Sequence, residues 1–380
     1  MQMNELTSES LRRLAALRPD NGRVLSVFVN LDPSEFPTPK ARASQVSSLL
    51  DEADRRLRNG DDADHGQKAA LRDDLARLRR YLGDFDAKGA HAIALFACGP
   101  AELFEVFKLP RPVASAVVID DSPFVEPLAR LGDGGRWAVL LVSRSHGRIL
   151  RGTSERLDEL DRVDDDVHRQ HDQGGWSQAR YQRSVDKEAT DHIKRVTDEL
   201  FRTFQREAFD YLVIGSPEEV IHAVKSSLHP YLAERLAGRI EVDVDVASPD
   251  DVLAATRSVI AGKETERERS ALDKLEEGLG ASGRAAAGLD DVLSVLTEKR
   301  VGSLMLGEGF DAAGLICPSC GLLTADGDRC PVDDTPLELR EDIVESAVES
   351  AIGQSADILV VRHHRDELER HGSIAALLRF

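Results

Sequence analysis

The sequence predicts an α/β (α+β) protein of three domains, and three observations carry that expectation. Short apolar runs of strand length alternate with longer stretches whose apolar residues recur every three or four positions. At 380 residues the chain is longer than one hydrophobic core ordinarily serves. Its hydrophobic content of 41% is enough to fill several cores, and its 31% charged content to solvate their surfaces. The expected domains are 1–130, 131–250 and 251–380, the central one built on a mixed sheet.

In the first domain the run VLSVFV (Val24–Val29) reads as a buried strand. Helical patterns follow near Lys40–Arg58 and Gln67–Leu82, and AIALFA and ASAVVI read as further strands around Pro110 and Pro112. The linker Leu131–Gly135 opens the second domain, with strands WAVLLV and RILRG joined by the turn SRSHG. Ala189, Ile193, Val196, Leu200, Phe204 and Ala208 share one face of a helix expected over Asp186–Ala208. DYLVIG reads as a strand, Gly215-Ser216-Pro217 as a helix start, and the alternating RIEVDVDV as a closing strand. The third domain is expected to hold helices near Ala261–Glu277, Asp290–Lys299 and Asp342–Ile352, with strands SLML and DILVV and the tail IAALLRF.

The net charge of −19 argues against broad, non-specific binding of nucleic acid by counterion release. No apolar run reaches the roughly 20 residues that span a bilayer, and the first residues lack the apolar core of a secretory signal. A cytoplasmic protein with no membrane and no DNA among its partners is expected. GLGASG (Gly278–Gly283) fits G-x-G-x-x-G but follows a charged helix rather than a strand, so it reads as an interhelical loop and not a dinucleotide site. The sequence contains no phosphate-binding P-loop, nucleophile elbow or H-E-x-x-H. His146 and the pair His363-His364 read as surface turns.

Four cysteines are present, and Cys98 in an apolar run reads as a small buried hydrophobe. CPSCGLLTADGDRCPVDD places Cys317-x2-Cys320 before Cys330-x2-Asp333. Asp333 stands where a second Cys-x2-Cys would put its last sulfur, so Cys317, Cys320, Cys330 and Asp333 are the expected ligands of a structural Zn2+ in a small zinc-ribbon-like insert over 315–338. Asp334 and a water compete for the fourth position. A metal-free ribbon and a redox pair are the other readings of the same spacing.

One stretch departs from this acidic background. HRQHDQGGWSQARYQR (His168–Arg183) carries three arginines and two histidines against the single acid Asp172. Gly174 and Gly175 permit backbone angles closed to other residues and a close approach to a ligand. Ser177 and Gln178 offer neutral polar groups. Arg180 and Arg183, three apart, suit phosphates, and Trp176 and Tyr181 suit unpaired bases. Together with His168 and His171 these residues describe a probe for an RNA-lined pocket; an unstructured surface loop is the alternative.

GGWSQARYQR resembles the GGQ-type loop of the archaeo-eukaryotic class-one peptide release factors, with Gly174, Gly175, Ser177, Arg180, Tyr181 and Arg183 in register. The order of three domains, the cysteine-rich insert in the last of them and the ending GSIAALLRF (Gly372–Phe380) follow the same family. The chain is similar to bacterial members of the release factor/Pelota superfamily and to Vms/Ankzf-type peptidyl-tRNA hydrolases. The resemblance implies a loop that enters the peptidyl transferase centre of the large ribosomal subunit, contacting ribosomal RNA and tRNA. It also implies a translational GTPase as delivery partner. Catalysis would fall to Gln178, Gly174 and Gly175, hydrolysing the peptidyl-tRNA ester in ribosome rescue or quality control. The sequence departs from the family in two places. Trp176 occupies the position after the glycines where the family's glutamine stands, and the first domain shows no codon-reading motif. The first departure supports the other function implied, a non-catalytic A-site binder of the Balon/Pelota-like hibernation type.

Overall fold

The computed structural model describes every residue except 1–5, 21, 33, 60–63, 84, 86–89, 110, 132–134, 155 and 165–177. It describes the backbone but not the side chains of 8, 59, 178–186, 281 and 282. The chain falls into two compact units, Met1–Asp133 with Glu268–Phe380, and Gly134–Arg267.

The first unit begins with α1 (Ser8–Ala15), capped by Thr7, and β1 (Val24–Asn30). Then come α2 (Pro39–Asn59), α3 (His65–Gly83), β2 (Ala92–Cys98), β3 (Leu103–Leu109), β4 (Ala116–Asp120) and α4 (Glu126–Leu131). The four strands form an antiparallel sheet in the order β3-β2-β1-β4. Every residue of β1 and β2 is buried. Leu25, Val27 and Val29 pack with Leu50, Leu71 and Leu78 of α2 and α3, while Val24 and Phe28 face the opposite way. A sheet covered on both faces needs near-continuous apolar strands, which is why VLSVFV and AIALFA stand out in the sequence. β3 (LFEVFKL) was not expected, because Glu105 and Lys108 interrupt its apolar pattern.

The second unit holds β5 (Trp137–Val142), β6 (His146–Gly152), β7 (Leu157–Asp164), α5 (Gln178–Arg206), β8 (Tyr211–Gly215), α6 (Glu218–Ser227), α7 (Pro230–Ala233), β9 (Leu236–Ile240) and the start of α8 (Pro249–Glu277), inside which the unit boundary falls. Its sheet runs β7-β6-β5-β8-β9 and is mixed as expected: β5, β8 and β9 are parallel, and the hairpin strands antiparallel. Ala138, Leu140 and Val142 face Ile193, Val196 and Leu200 of α5; Val139 and Leu141 face Val252 and Ile260 of α8. Gly147 lets α5 lie against β6, since a Cβ there would sit 2.4 Å from Val196.

Three expectations for this unit are corrected. α5 ends at Arg206 and leaves Ala208 exposed rather than on the packed face. The strand expected over RIEVDVDV stops at Ile240, because the Asp243 carboxylate accepts the N–H of Asp245 and its carbonyl that of Ala247, closing a turn. β7 was not expected as a strand: it is a charged edge with only Leu157 buried, the composition that keeps an edge strand from pairing further.

The chain then returns to the first unit. A π-turn over Gly278–Ser282 ends α8 and leads directly into β10 (Ala285–Ala287), so GLGASG is not an interhelical loop. There follow α9 (Leu289–Thr297), β11 (Val301–Gly307), β12 (Gly314–Ile316), β13 (Leu323–Thr324), β14 (Glu338–Arg340), α10 (Ile343–Gly353), β15 (Asp357–Val361), α11 (Arg365–Glu369) and β16 (Ile374–Leu378). The main sheet is β10-β16-β11-β15; β13-β12-β14 form a small separate one. Leu293, Leu306, Val344 and Val348 share one core with Phe28, Phe96 and Phe107, so the first and last thirds of the chain are packed together.

One buried carboxylate ties this unit together. Glu268 on α8, 3% exposed, accepts the backbone N–H groups of Arg362 at 3.0 Å, His363 at 2.8 Å and His364 at 3.1 Å. Glu268→Ala strands three inward-facing donors and is expected to cost about 3 kcal/mol, read as a lower urea midpoint at unchanged slope. A midpoint equal to wild type would show that water replaces the carboxylate there.

Glu345 on α10 is half-buried among other acids. Burial, then the charges of Glu349, Glu126, Asp120 and Asp342, push its carboxyl up to about 8. Glu349 is raised in the same way by burial, against Arg18 at 3.0 Å and the Ser122 hydroxyl at 2.9 Å. An unfolded glutamate titrates near ~4.3, so between there and pH 8 the native state binds the extra proton. Stability therefore falls as pH rises through that window, and is not altered by this group below it. Glu345→Gln is expected to flatten the decline in Tm between pH 5 and 8 and to stabilise at pH 8 by on the order of 2–3 kcal/mol. A glutamine variant with the wild-type slope would remove Glu345 as its source.

Candidate functional site

Strand directions locate the two ends of the glycine–glutamine segment. β7 is antiparallel to β6 and β6 to β5, so β7 ends at the same sheet edge as the parallel strands β5, β8 and β9. Asp164, its last residue, pairs with His146 at the β5–β6 hairpin. α5 begins at Gln178 and runs to Arg206, close before β8 starts at the opposite edge. About 27 Å of helix separates Gln178 from Val196, whose side chain packs on Gly147. Gln178 is thus the first residue of a long helix anchored on the sheet through its later turns.

His168, His171, Gly174, Gly175, Trp176 and Ser177 lie outside the described residues. Gln178, Arg180, Tyr181 and Arg183 are within α5, their side chains outside the description. The helix is longer than expected by two turns at its N-terminus, which puts Arg180 and Arg183 on one face of regular backbone. The apolar periodicity used to bound the helix could not reach that far, since QARYQRSV carries no apolar stripe.

The same edge holds residues that sequence reasoning passed over. The Ser145 hydroxyl lies 3.0 Å from Nδ1 of His146, and an Asp245 carboxylate oxygen lies 3.2 Å from that same nitrogen. Serine, histidine and aspartate suggest a hydrolytic triad, but a triad needs its acid and its nucleophile on opposite ring nitrogens. Here both address Nδ1, so the arrangement fixes the hairpin to the turn after β9 and relays no proton. Arg148, 4% exposed, makes the same connection by donating to the carbonyls of Val244 at 3.0 Å and Ala247 at 2.8 Å. Nothing local in the sequence signals either link, because the partners are about a hundred residues apart.

The cysteine segment is brought together as expected. Ligand atoms of Cys317, Cys320, Cys330 and Asp333 all lie within 4.8 Å of one another. The Cys317 sulfur is 3.6 Å from Asp333 Oδ1, and the sulfurs of Cys320 and Cys330 are 3.5 Å apart. A tetrahedral zinc with bonds of about 2.3 Å holds its sulfurs roughly 3.8 Å apart, so the donor set fits such an ion in number, type and spacing. Backbone N–H groups of Cys320 and Val332 point at the sulfurs of Cys317 and Cys330 at 3.5 and 3.4 Å. Burial raises the Cys317 thiol, but the amides of Cys320 and Ser319 outweigh it and leave the thiol below its usual range. Burial pushes the Cys330 thiol up to about 11. The Ser319 hydroxyl and then the Cys330 thiol hold the Asp333 carboxyl well below the usual carboxylate range. Asp334 is turned away to Arg329, 2.9 Å from its Nε, which leaves Asp333 as the carboxylate in reach. The four residues sit on turns leaving β12 and β13, and Leu323 of β13 is buried in the unit's core.

Residues 123–261 match the family described as bacterial archaeo-eukaryotic release factor family 10. Over 307 residues the chain is 23% identical to peptide chain release factor subunit 1 of Methanobrevibacter smithii, covering 72% of this chain and 73% of that one. It is 26% identical over 236 residues to the same factor of Methanopyrus kandleri, covering 57% and 55%. Among solved structures it is similar to Archaeoglobus fulgidus Pelota, with 15% identity, a TM-score of 0.34 and coverage of 76% and 79%. Among the described residues no helix is long and apolar enough to cross a membrane.

Proposed function

We infer that the chain, which belongs to the archaeo-eukaryotic release factor/Pelota superfamily, is a translation factor that acts on ribosomes and hydrolyses peptidyl-tRNA in rescue or quality control. The observation that carries this reading is Gln178 as the first residue of a 29-residue helix, three positions after Gly175. Such a helix can deliver a neutral amide deep into an RNA-walled cavity while its base stays on the sheet.

In the reaction, water attacks the carbonyl carbon of the ester between peptide and tRNA. The bond to the ribose oxygen breaks, the peptide leaves as a carboxylic acid, and the remaining water proton ends on the ribose hydroxyl. Gln178 orients the water, and backbone N–H groups at Gly174 and Gly175 meet the developing oxyanion without titrating. Arg180, Arg183, His168 and His171 bind RNA phosphates with Ser177; Trp176 and Tyr181 stack on bases. The partners are the large-subunit RNA and tRNA, with a translational GTPase for delivery, and the place of action is the cytoplasm. The domains 1–130, 131–250 and 251–380 are proposed as the functional divisions. Zn2+ on Cys317, Cys320, Cys330 and Asp333 is a structural ion that closes a ribbon-like insert; with four protein ligands it leaves no open catalytic position.

One observation favours a second reading. Trp176 stands directly after the glycines, and a stacking aromatic anchors well but activates no water. On that reading the loop is a plug and the protein a hibernation factor. Large subunits carrying radiolabelled peptidyl-tRNA distinguish the two: release of free peptide supports hydrolysis, and ribosome co-sedimentation without release supports the plug.

A further inference from the structure

We propose that the end of the second unit opposite the glycine–glutamine segment carries a stacking platform for an unpaired RNA base, centred on Tyr231. The C-terminal turns of α5, the C-terminus of α6, α7 and the entry to β9 converge at this edge, since α5 and α6 both run back to where β8 and β9 begin. Phe201 of α5 lies flat on His229, centroids 3.9 Å apart and planes at 14°. His229 in turn lies 5.0 Å from the ring of Tyr231, the two planes tilted by 55°. The ladder is open at its outer end, where Tyr231 is 57% exposed. Its inner end is fixed in the core through Phe204, which meets the buried Phe209 edge-on at 5.1 Å. His229 is held in orientation, its Nδ1 accepting the N–H of Tyr231 at 3.3 Å.

The charges around the ladder select a polyanion over an apolar partner. Arg202 and Arg206 share the one carboxylate of Glu199, so a positive charge is left over. Arg136 is matched by Asp210 and Arg151 by Glu207. Arg235 stacks 4.7 Å over Phe204 and donates to the carbonyls of Phe209 and Tyr231; among the described residues it meets no carboxylate. Lys225, in the last turn of α6, is in no close ion pair among the described residues, and the acid its charge reaches is Glu218. Glu234 and, one turn before Phe201 on α5, the exposed Asp198 are acids here with no ion pair among the described residues. An exposed aromatic ring beside cations is what sequence-tolerant binding of single-stranded RNA uses: a base on the ring and its phosphates on the arginines and lysine. About 35 Å of helix separates Gln178 from Phe201, so RNA held here is held far from Gln178.

This deepens the ribosome-binding reading and rests on it, but its test needs neither a ribosome nor catalysis. The full chain is titrated into a fluorescein-labelled single-stranded 12-nucleotide oligoadenylate and followed by anisotropy. Tyr231→Ala is expected to weaken binding roughly ten-fold and Tyr231→Phe less than about two-fold, both with wild-type Tm. Equal binding by wild type and Tyr231→Ala, or no binding by wild type, overturns the platform. Loss of ribosome co-sedimentation by Tyr231→Ala with oligoadenylate binding intact also overturns it, since the ring would then face a protein. Peptide release by the wild type separates the two proposals: release without oligoadenylate binding leaves the hydrolase and removes the platform, and binding without release does the reverse.

Discussion

Replacing Gln178 by alanine is expected to slow peptide release from large subunits by about 10²–10³-fold, the usual cost of removing one positioned polar group from a transition state. Binding should survive, because the arginines, histidines and Trp176 remain. The loss should appear in kcat rather than in the concentration giving half-maximal release, since an amide that orients water contributes little to the bound ground state. A second variant tests the departure from the family. Trp176→Gln restores an amide directly after Gly175, and combined with Gln178→Ala it asks whether position or residue type matters. Rescue by the double variant would put the water at the family's place. Wild-type release by Gln178→Ala alone would take Gln178 out of the mechanism, and no release by any form would leave the plug.

The cysteine cluster carries the second large effect. The purified chain is expected to hold one zinc, and removing it with a chelator, or replacing Cys330 by serine, should cost about 4 kcal/mol, or roughly 10 °C in Tm. The size follows from where the ribbon is attached. Leu323 of β13 is in the unit's core, and its N–H is held by the Thr297 hydroxyl of α9 at 3.2 Å. A ribbon that opens therefore opens the core beside it. A metal-free preparation with unchanged Tm on chelation would refute the zinc reading. If Cys317 and Cys320 instead formed a disulfide reversibly, the redox reading would replace it.

What could be read in the sequence follows the range of the forces concerned. Strands buried on both faces announced themselves because every position had to be apolar, as in β1, β2 and β5. The metal-type cluster was legible for a similar local reason: a two-residue spacing turns both side chains of each arm toward one point, and only two arms had to meet. Charged edge elements were not legible. β7 contributes one buried side chain, and its pairing to β6 is specified by backbone hydrogen bonds that leave no trace in residue type. The start of α5 was missed because its first turns are polar, so the helix there is set by backbone continuity rather than by a stripe. The acidic seam around Glu345 was invisible because its members come from both ends of the chain.

The shared core of the first and last thirds has a consequence for how the chain is made. Phe28, Phe96 and Phe107 form one face of the N-terminal sheet, and its partners, Val344 and Val348 of α10 and Ala376 of β16, are synthesised last. At ~5–20 residues per second, roughly 12–50 s pass between emergence of Ala129 and that of Ala376. During that interval the N-terminal sheet waits with an apolar face uncovered, while Gly134–Arg267 already has all its own strands and can close first. The order of birth thus differs from the order of folding: the middle of the chain matures while its beginning is still waiting for its end. Nascent chains stalled between Arg267 and Ile343 are where a holding chaperone would have most to cover.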